Sequence, residues 1–134
     1  MSLRAHYDAI QAMIPVKYTV YQWDVPALPT YPYVLLWGGI GSEESEALCG
    51  DPDTLSLRPK ITYAGQTGAQ LLMMVDTVRA ALNARTPVVP GWSPSRLRQS
   101  SLIDAQPDYD VTVPNTKAHP VFCVDEYAFT SQRA

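Results

Sequence analysis

The sequence holds few cysteines and no long apolar run. Its 134 residues include only two cysteines, Cys49 and Cys123, which lie far apart in the chain. Two distant cysteines do not make the disulfide framework of a small secreted protein, so we expect reduced thiols. No apolar stretch approaches the roughly 20 residues that cross a bilayer, and the first residues lack the pattern of a signal peptide. These absences predict no membrane association and an intracellular protein, or one in a particle assembled inside cells.

The composition also lacks an excess of basic residues. Ten Lys and Arg against 13 Asp and Glu leave a formal net charge of −3. Because phosphate binding requires clustered Lys and Arg, this balance predicts no generic affinity for nucleic acid. The length and the 46% hydrophobic content predict one folded domain over residues 1–134, with a core that needs neither metal nor disulfide.

The spacing of apolar residues predicts two helices, at 3–14 and 68–84. Ser2 is a candidate N-cap for the first, and Thr67 with Gln70 has the spacing of a capping box for the second. Strands are predicted at 16–23, 33–37, 60–64, 97–103, 109–113 and 121–129, with a frayed polar end after them. This order predicts an α+β fold with a small, mainly antiparallel β-sheet and both helices packed on one face.

Residues 38–57 are the longest stretch without periodicity, and they are predicted to form a loop. The acidic residues there are not balanced by any Lys or Arg: they are Glu43, Glu44, Glu46, Asp51 and Asp53. A loop of this length in a compact domain is usually functional or mobile. An ordinary solvated acidic loop is the alternative interpretation.

Patterns of catalytic and metal-binding residues are weak. The glycines at 38, 39 and 41 follow a predicted strand, but two glutamates stand where a phosphate loop needs Lys and Ser or Thr. The two histidines and two cysteines show no metal-ligand spacing. Cys123 with His119 or His6 could form a nucleophile pair, but alternation with apolar residues favours Cys123 in the core.

Paired carboxylates are a further candidate for acid–base chemistry. They are Asp104, Asp108 and Asp110 in one group, and Asp125 and Glu126 in the other. Their setting among prolines and polar residues favours solvated turns.

The order of these features resembles the tail terminator (tail completion) proteins of long-tailed bacteriophages, most closely those of phages that infect actinobacteria. The short first helix is part of the resemblance, which covers nearly the whole chain. The matching segments are Val25-Pro26, Tyr31-Pro32-Tyr33-Val34-Leu35, Ile61-Thr62-Tyr63, Val78-Arg79-Ala80-Ala81-Leu82 and Phe122-Cys123-Val124-Asp125-Glu126-Tyr127.

The resemblance implies a structural virion protein without catalytic residues or cofactors. Such a protein forms a homo-hexameric ring, caps the major tail tube protein and offers a surface to a head-closure or neck protein. It is assembled in the host cytoplasm and stays at the head–tail interface, where DNA passes through its lumen without specific binding. Another head–tail connector component, a monomeric adaptor, or a small enzyme using Cys123 and His119 are the alternatives.

A ring subunit needs two different lateral surfaces. The aromatic content and the apolar strand at 33–37 make Trp23, Tyr33, Leu35 and Trp37 the candidates for the subunit interface. The acidic residues at 43–53 are the candidates for the lumen or for a docking rim.

Overall fold

A computed structural model describes residues 2–44, 53–114 and 116–134. Along the chain these residues form α1 (Ser2–Met13), β1 (Thr19–Gln22), β2 (Tyr33–Gly38), β3 (Ser42–Glu44), β4 (Thr54–Leu57), β5 (Pro59–Gly65), α2 (Gly68–Leu82), β6 (Trp92–Pro94), β7 (Arg98–Pro107) and β8 (Val121–Arg133). The strands join in one 8-stranded sheet that is mostly antiparallel. The predicted α+β fold is confirmed.

Strand β8 forms the centre of the sheet. Its first half pairs with both β5 and β7 along the same residues, so these two strands lie on opposite sides of it. Its second half pairs with β4 and β6. Strand β1 runs parallel to β2, which is antiparallel to β5. The lateral order β1-β2-β5-β8-β7 therefore places β1 and β7 at two opposite edges.

Helix α2 begins where the sequence predicts. The Thr67 hydroxyl accepts a hydrogen bond from the Gln70 backbone N–H at 3.1 Å. The Gln70 side chain accepts from the N–H of Gln66 at 2.7 Å, one residue before the cap. The helix ends at Leu82, two residues earlier than predicted, because Asn83 takes an extended conformation.

The core lies between the sheet and the two helices, which pack on one face. Buried side chains from α1, α2, β2, β5 and β8 form one cluster. Its large members include Tyr7, Ile10, Leu36, Ile61, Tyr63, Leu71, Met74, Leu82 and Tyr127. Burial of each such side chain stabilises the fold by about 1.5–3 kcal/mol. In the described part of the chain, neither helix is long and apolar enough to cross a membrane.

The polar C-terminal end is not frayed, contrary to the prediction. Residues 130–133 continue β8 and pair with β4 and β6. Ser131 is fully buried, and its hydroxyl shares a hydrogen bond of 2.7 Å with Nε2 of His6 in α1. Strand pairing and a buried partner on a distant helix outweigh the polar composition of this segment.

The predicted strand at 109–113 is also wrong. This segment is turn and irregular backbone. The Asp108 carboxylate accepts a hydrogen bond from the Asp110 backbone N–H at 3.2 Å, and Nδ1 of His119 donates to the Val111 carbonyl at 2.6 Å. Local bonds from Asp side chains compete with strand pairing in this way.

Residues 38–57 are not a long structureless loop. Strand β3 pairs with β4 in antiparallel register, with Glu43 opposite Leu55; residues 45–52 lie outside the described part. Gly41, just before β3, has φ +69, and a Cβ there would lie 2.0 Å from the Ser56 carbonyl oxygen. Only glycine permits this close approach of the backbone to β4.

Gly41→Ala is therefore expected to lower the free energy of unfolding by about 2 kcal/mol or more, from backbone strain and the clash with Ser56. Urea unfolding measures the change. Gly68→Ala is the matched control, because a Cβ there meets nothing within 4 Å. It should leave stability unchanged or raise it by up to about 1 kcal/mol. Equal stability of the two variants would contradict the close approach at Gly41.

Candidate functional site

Strand β2 has one buried face and one partly exposed face. Val34 and Leu36 are fully buried against the helices. Tyr33, Leu35 and Trp37 alternate with them and are half-buried on the opposite side of the sheet. The described residues therefore cover one face of this apolar strand fully and the other only in part. Three of the four predicted interface residues share a surface that the helices do not cover.

The side chains of this surface are held by their neighbours. Nε1 of Trp37 donates to the Thr62 hydroxyl at 2.8 Å. The ring of Tyr33 lies 5.5 Å from that of Tyr21 and 5.4 Å from that of Tyr31. Burial, with smaller contributions from neighbouring groups, raises the pKa of Tyr33 to about 12, so the phenol is neutral. We call Tyr21, Tyr33, Leu35 and Trp37 the outer aromatic face.

Trp23, the fourth predicted interface residue, lies apart from this face. It follows the end of β1, and its ring packs 4.8 Å from that of Tyr7 in α1. The Tyr7 hydroxyl is fixed by donation to the Gly39 carbonyl at 2.6 Å. A cavity of about 410 Å³, here called the Trp23 pocket, is lined by Leu3, Arg4, Tyr7, Gln22, Trp23 and Ile40. The four predicted residues therefore belong to two surfaces, because β1 ends at Gln22.

The conformation of Trp23 is unfavourable for a bulky residue. Its φ is +70, while its side chain remains 53% exposed. A bulky residue with positive φ costs about 1 kcal/mol or more. About half of the residue stays exposed although its ring packs on Tyr7, which makes Trp23 a candidate for contact with another chain.

The opposite edge of the sheet carries a different exposed surface. Strand β7 has ten residues, and every residue from 100 to 107 is exposed. Leu102 is 47% exposed and Ile103 37% exposed, beside register shifts in the pairing with β8. In the described structure, no strand pairs with the outer side of β7. Unpaired N–H and C=O groups of such a strand are a template for another chain.

The predicted acidic loop is only partly described. Glu43 is exposed in β3, and Glu44 ends that strand opposite Thr54. Asp53 precedes β4, and its backbone carbonyl accepts from the N–H of Arg133 at 2.8 Å. Glu46 and Asp51 lie outside the described residues. Glu43 and Glu44 thus belong to β3, and Asp53 directly precedes β4.

Cys123 belongs to the hydrophobic core, as its alternation with apolar residues predicts. Burial raises the pKa of its thiol to about 11, which opposes a thiolate at neutral pH. His119 binds backbone and packs 5.3 Å from the ring of Tyr109. Within residues 2–44, 53–114 and 116–134, no three His, Cys, Asp or Glu side chains are grouped to hold a metal ion.

Asp125 forms a buried polar network that the sequence analysis missed. It is 1% exposed, so the interpretation of this residue as part of a solvated turn is wrong. Nε and Nη2 of Arg79 donate to its two oxygens at 2.8 and 2.6 Å. The Tyr63 hydroxyl donates to Oδ2 at 3.0 Å, and Nε2 of Gln99 to Oδ1 at 3.2 Å. Alternate side chains of a strand share a face, and Asp125 alternates with Cys123 and the buried Tyr127. This alternation along β8 was the sequence signal for the burial of Asp125.

This network ties four elements together. Arg79 lies on α2, Tyr63 on β5, Gln99 on β7 and Asp125 on β8. Hydrogen bonds to Asp125 raise the pKa of the Arg79 guanidinium further, so it stays charged. The bidentate pair fixes the helix against the centre of the sheet, and the hydrogen bond from Gln99 joins the start of β7 to the same carboxylate.

No protein-family model matches the chain, and no curated protein is significantly similar to it. A functional assignment therefore depends on the surfaces described above and on the order of features in the sequence.

Proposed function

We propose that the protein is a structural ring subunit of the tail-terminator kind. In this proposal six copies form a ring that caps the phage tail tube and presents a surface to the head-closure or neck protein. The observation that carries the proposal is the presence of different exposed surfaces at opposite edges of the sheet. At one edge is β7 with Leu102 and Ile103, and at the other are Trp23 and, apart from it, the outer aromatic face.

Different surfaces on opposite edges favour head-to-tail contact. A two-fold dimer uses the same patch on both copies, whereas contact between two unlike patches repeats in one direction and closes into a ring when the rotation permits. Here Leu102 and Ile103 lie on one edge strand, and Trp23 adjoins the other edge strand. Each copy then offers one edge to each neighbour.

The partners follow from this position in the particle. One opening of the ring would meet the major tail tube protein and the other the neck, and DNA would pass through the lumen without specific binding. The location is the virion, at the head–tail interface. Two alternatives differ in partners or in assembly. Another head–tail connector component would also form a ring but with other partners, and an adaptor would be monomeric.

Trp23→Asn tests the proposal without loss of fold. Asn tolerates positive φ better than Trp, so the stability of the isolated subunit should be unchanged or higher. If Trp23 is an anchor of the subunit interface, the association constant should fall by about 30-fold or more, as for interface hot spots. Sedimentation velocity over a concentration series measures both the assembled and the free species.

Val88→Asn is the control. Val88 is 84% exposed and lies in the segment after α2, on neither of the two proposed contact edges. This variant should assemble as the wild type does. Assembly of Trp23→Asn with wild-type affinity would remove Trp23 from the interface.

A further inference from the structure

A second candidate site is a groove of about 1020 Å³ that gathers basic residues. It lies where β4 and β5 approach β8 and the segment that follows α2. Four basic residues line it, and none of its described lining residues is acidic: the basic residues are Arg58, Lys60, Arg96 and Arg98. Four of the protein's ten Lys and Arg residues thus meet in one place on a chain of net charge −3.

Two of these cations are partly neutralised within the protein. The Glu126 carboxylate lies 3.1 Å from Nη1 of Arg58 and 3.5 Å from Nζ of Lys60. Among the described residues, neither Arg96 nor Arg98 has an acidic partner within ion-pair distance. The groove therefore keeps at least two exposed guanidinium groups available for a ligand.

Arg96 and Arg98 are placed by the residue between them. Leu97 is fully buried. Its backbone N–H donates to the Arg85 carbonyl at 2.9 Å, and its carbonyl accepts from the N–H of Ala84 at 2.9 Å. Since side chains alternate along an extended chain, burial of Leu97 directs both arginines to the other side. Their exposure thus follows from an anchored backbone.

The rest of the groove suits an anionic chain with polar atoms. Hydroxyl and amide groups surround the cations, and a few apolar side chains form the floor. The polar lining residues are Ser42, Ser56, Asn83, Ser95, Gln99 and Thr130. The volume of about 1020 Å³ is at the upper end of ordinary ligand pockets, which suits several residues of extended peptide better than a small ion.

The lining favours a peptide over a nucleic acid strand. Proteins that bind single strands stack bases on exposed aromatic rings. The single aromatic residue of the described lining, Phe129, is only 5% exposed. Guanidinium groups bind carboxylates through paired hydrogen bonds, and they need no stacking surface for that.

We propose that this groove binds an extended, acidic segment of a protein partner. Carboxylates of the segment pair with Arg96 and Arg98, and its backbone meets the hydroxyl and amide groups around these cations. Peptide binding here requires neither ring closure nor the phage assignment, so each can fail without the other.

The probe is a fluorescein-labelled octapeptide of alternating Glu and Gly, measured by fluorescence anisotropy with the full chain at low salt. The same peptide with Gln in place of Glu, and a labelled oligothymidylate, are the comparison ligands. The Glu peptide should bind, the Gln peptide should not, and added salt should weaken binding because it screens charges.

Arg96→Gln with Arg98→Gln should weaken binding of the Glu peptide by about tenfold or more. The control is Lys17→Gln with Lys117→Gln, which removes the same charge at two exposed sites outside the groove. It should change affinity by less than about twofold. Unfolding midpoints of both double variants establish that each is folded.

Three outcomes would overturn the assignment. Absence of Glu-peptide binding to the wild type at low salt would remove the site. Equal losses in the two double variants would show a generic charge effect. Tighter binding of oligothymidylate than of the Glu peptide, lost in the Arg96 and Arg98 variant, would make the groove a nucleic-acid site instead.

Discussion

Arg79→Met is expected to lower the free energy of unfolding by about 3–5 kcal/mol at neutral pH, because it leaves a buried carboxylate without its cation. Asp125 is 1% exposed, and Arg79 supplies hydrogen bonds to both of its oxygens. The two remaining donors, from Tyr63 and Gln99, carry no charge. Urea unfolding monitored by circular dichroism measures the loss.

The matched control for this prediction is Arg4→Met. Arg4 lies 3.8 Å from Asp8, but the two side chains are 85% and 57% exposed. Removal of an exposed pair of this kind changes stability by at most about 0.5–1 kcal/mol. A loss in Arg79→Met no greater than in Arg4→Met would show that the Asp125 network does not stabilise the fold.

The double variant Arg79→Met/Asp125→Leu shows how much of the stability loss comes from the unpaired carboxylate. Replacement of both members of a buried ion pair by apolar groups is often nearly neutral, so most of the loss should be recovered. The coupling energy from the full cycle then reports the Arg79–Asp125 interaction itself.

Substitution of Leu102 and Ile103 by Lys is expected to leave a folded protein that no longer assembles. Both side chains are exposed on β7, so the stability of one subunit should change by less than about 0.5 kcal/mol per site. Lysines on an edge strand are a device by which natural sheets prevent pairing. We expect the association constant to fall by about 100-fold or more, as when interface anchors are lost.

Leu72→Lys with Met73→Lys is the control for the β7 variant. These are also consecutive exposed apolar residues, 60% and 70% exposed, but they lie on α2. The control should assemble normally. If both double variants assemble as the wild type does, β7 is not a subunit contact, and if both fail, the loss reflects added charge rather than the edge.

Local signals in the sequence specify α2 and its start. Thr67, Gln70 and the apolar spacing that follows act within a few residues, so no knowledge of the rest of the fold is needed. The apolar alternation of β8 is similarly visible. Tyr33, Leu35 and Trp37 were predicted as interface residues from the aromatic content and the apolar strand, and it is the alternating burial along β2 that places them on one surface.

Features that depend on distant partners were not predictable in this way. Strands β3 and β4 are short and form by pairing with each other and with the end of β8. The same pairing orders the polar C-terminal residues. Trp23 was placed with β1 because composition does not show that the strand ends one residue earlier.

The cluster of four basic residues in the groove was not predictable from the sequence either. Arg58 and Lys60 are separated from Arg96 and Arg98 by helix α2 and the segment after it. The formal net charge of −3 hides this cluster, because it sums over the chain and carries no information on position. Only the folded sheet brings these cations together.

The mass of the wild-type protein in solution, measured by light scattering over a concentration series, decides whether the protein forms a ring. We expect a discrete species of six times the 14.8 kDa chain mass, which substitution of Leu102 and Ile103 by Lys converts to monomer. A wild-type protein that stays monomeric at every concentration would contradict this expectation.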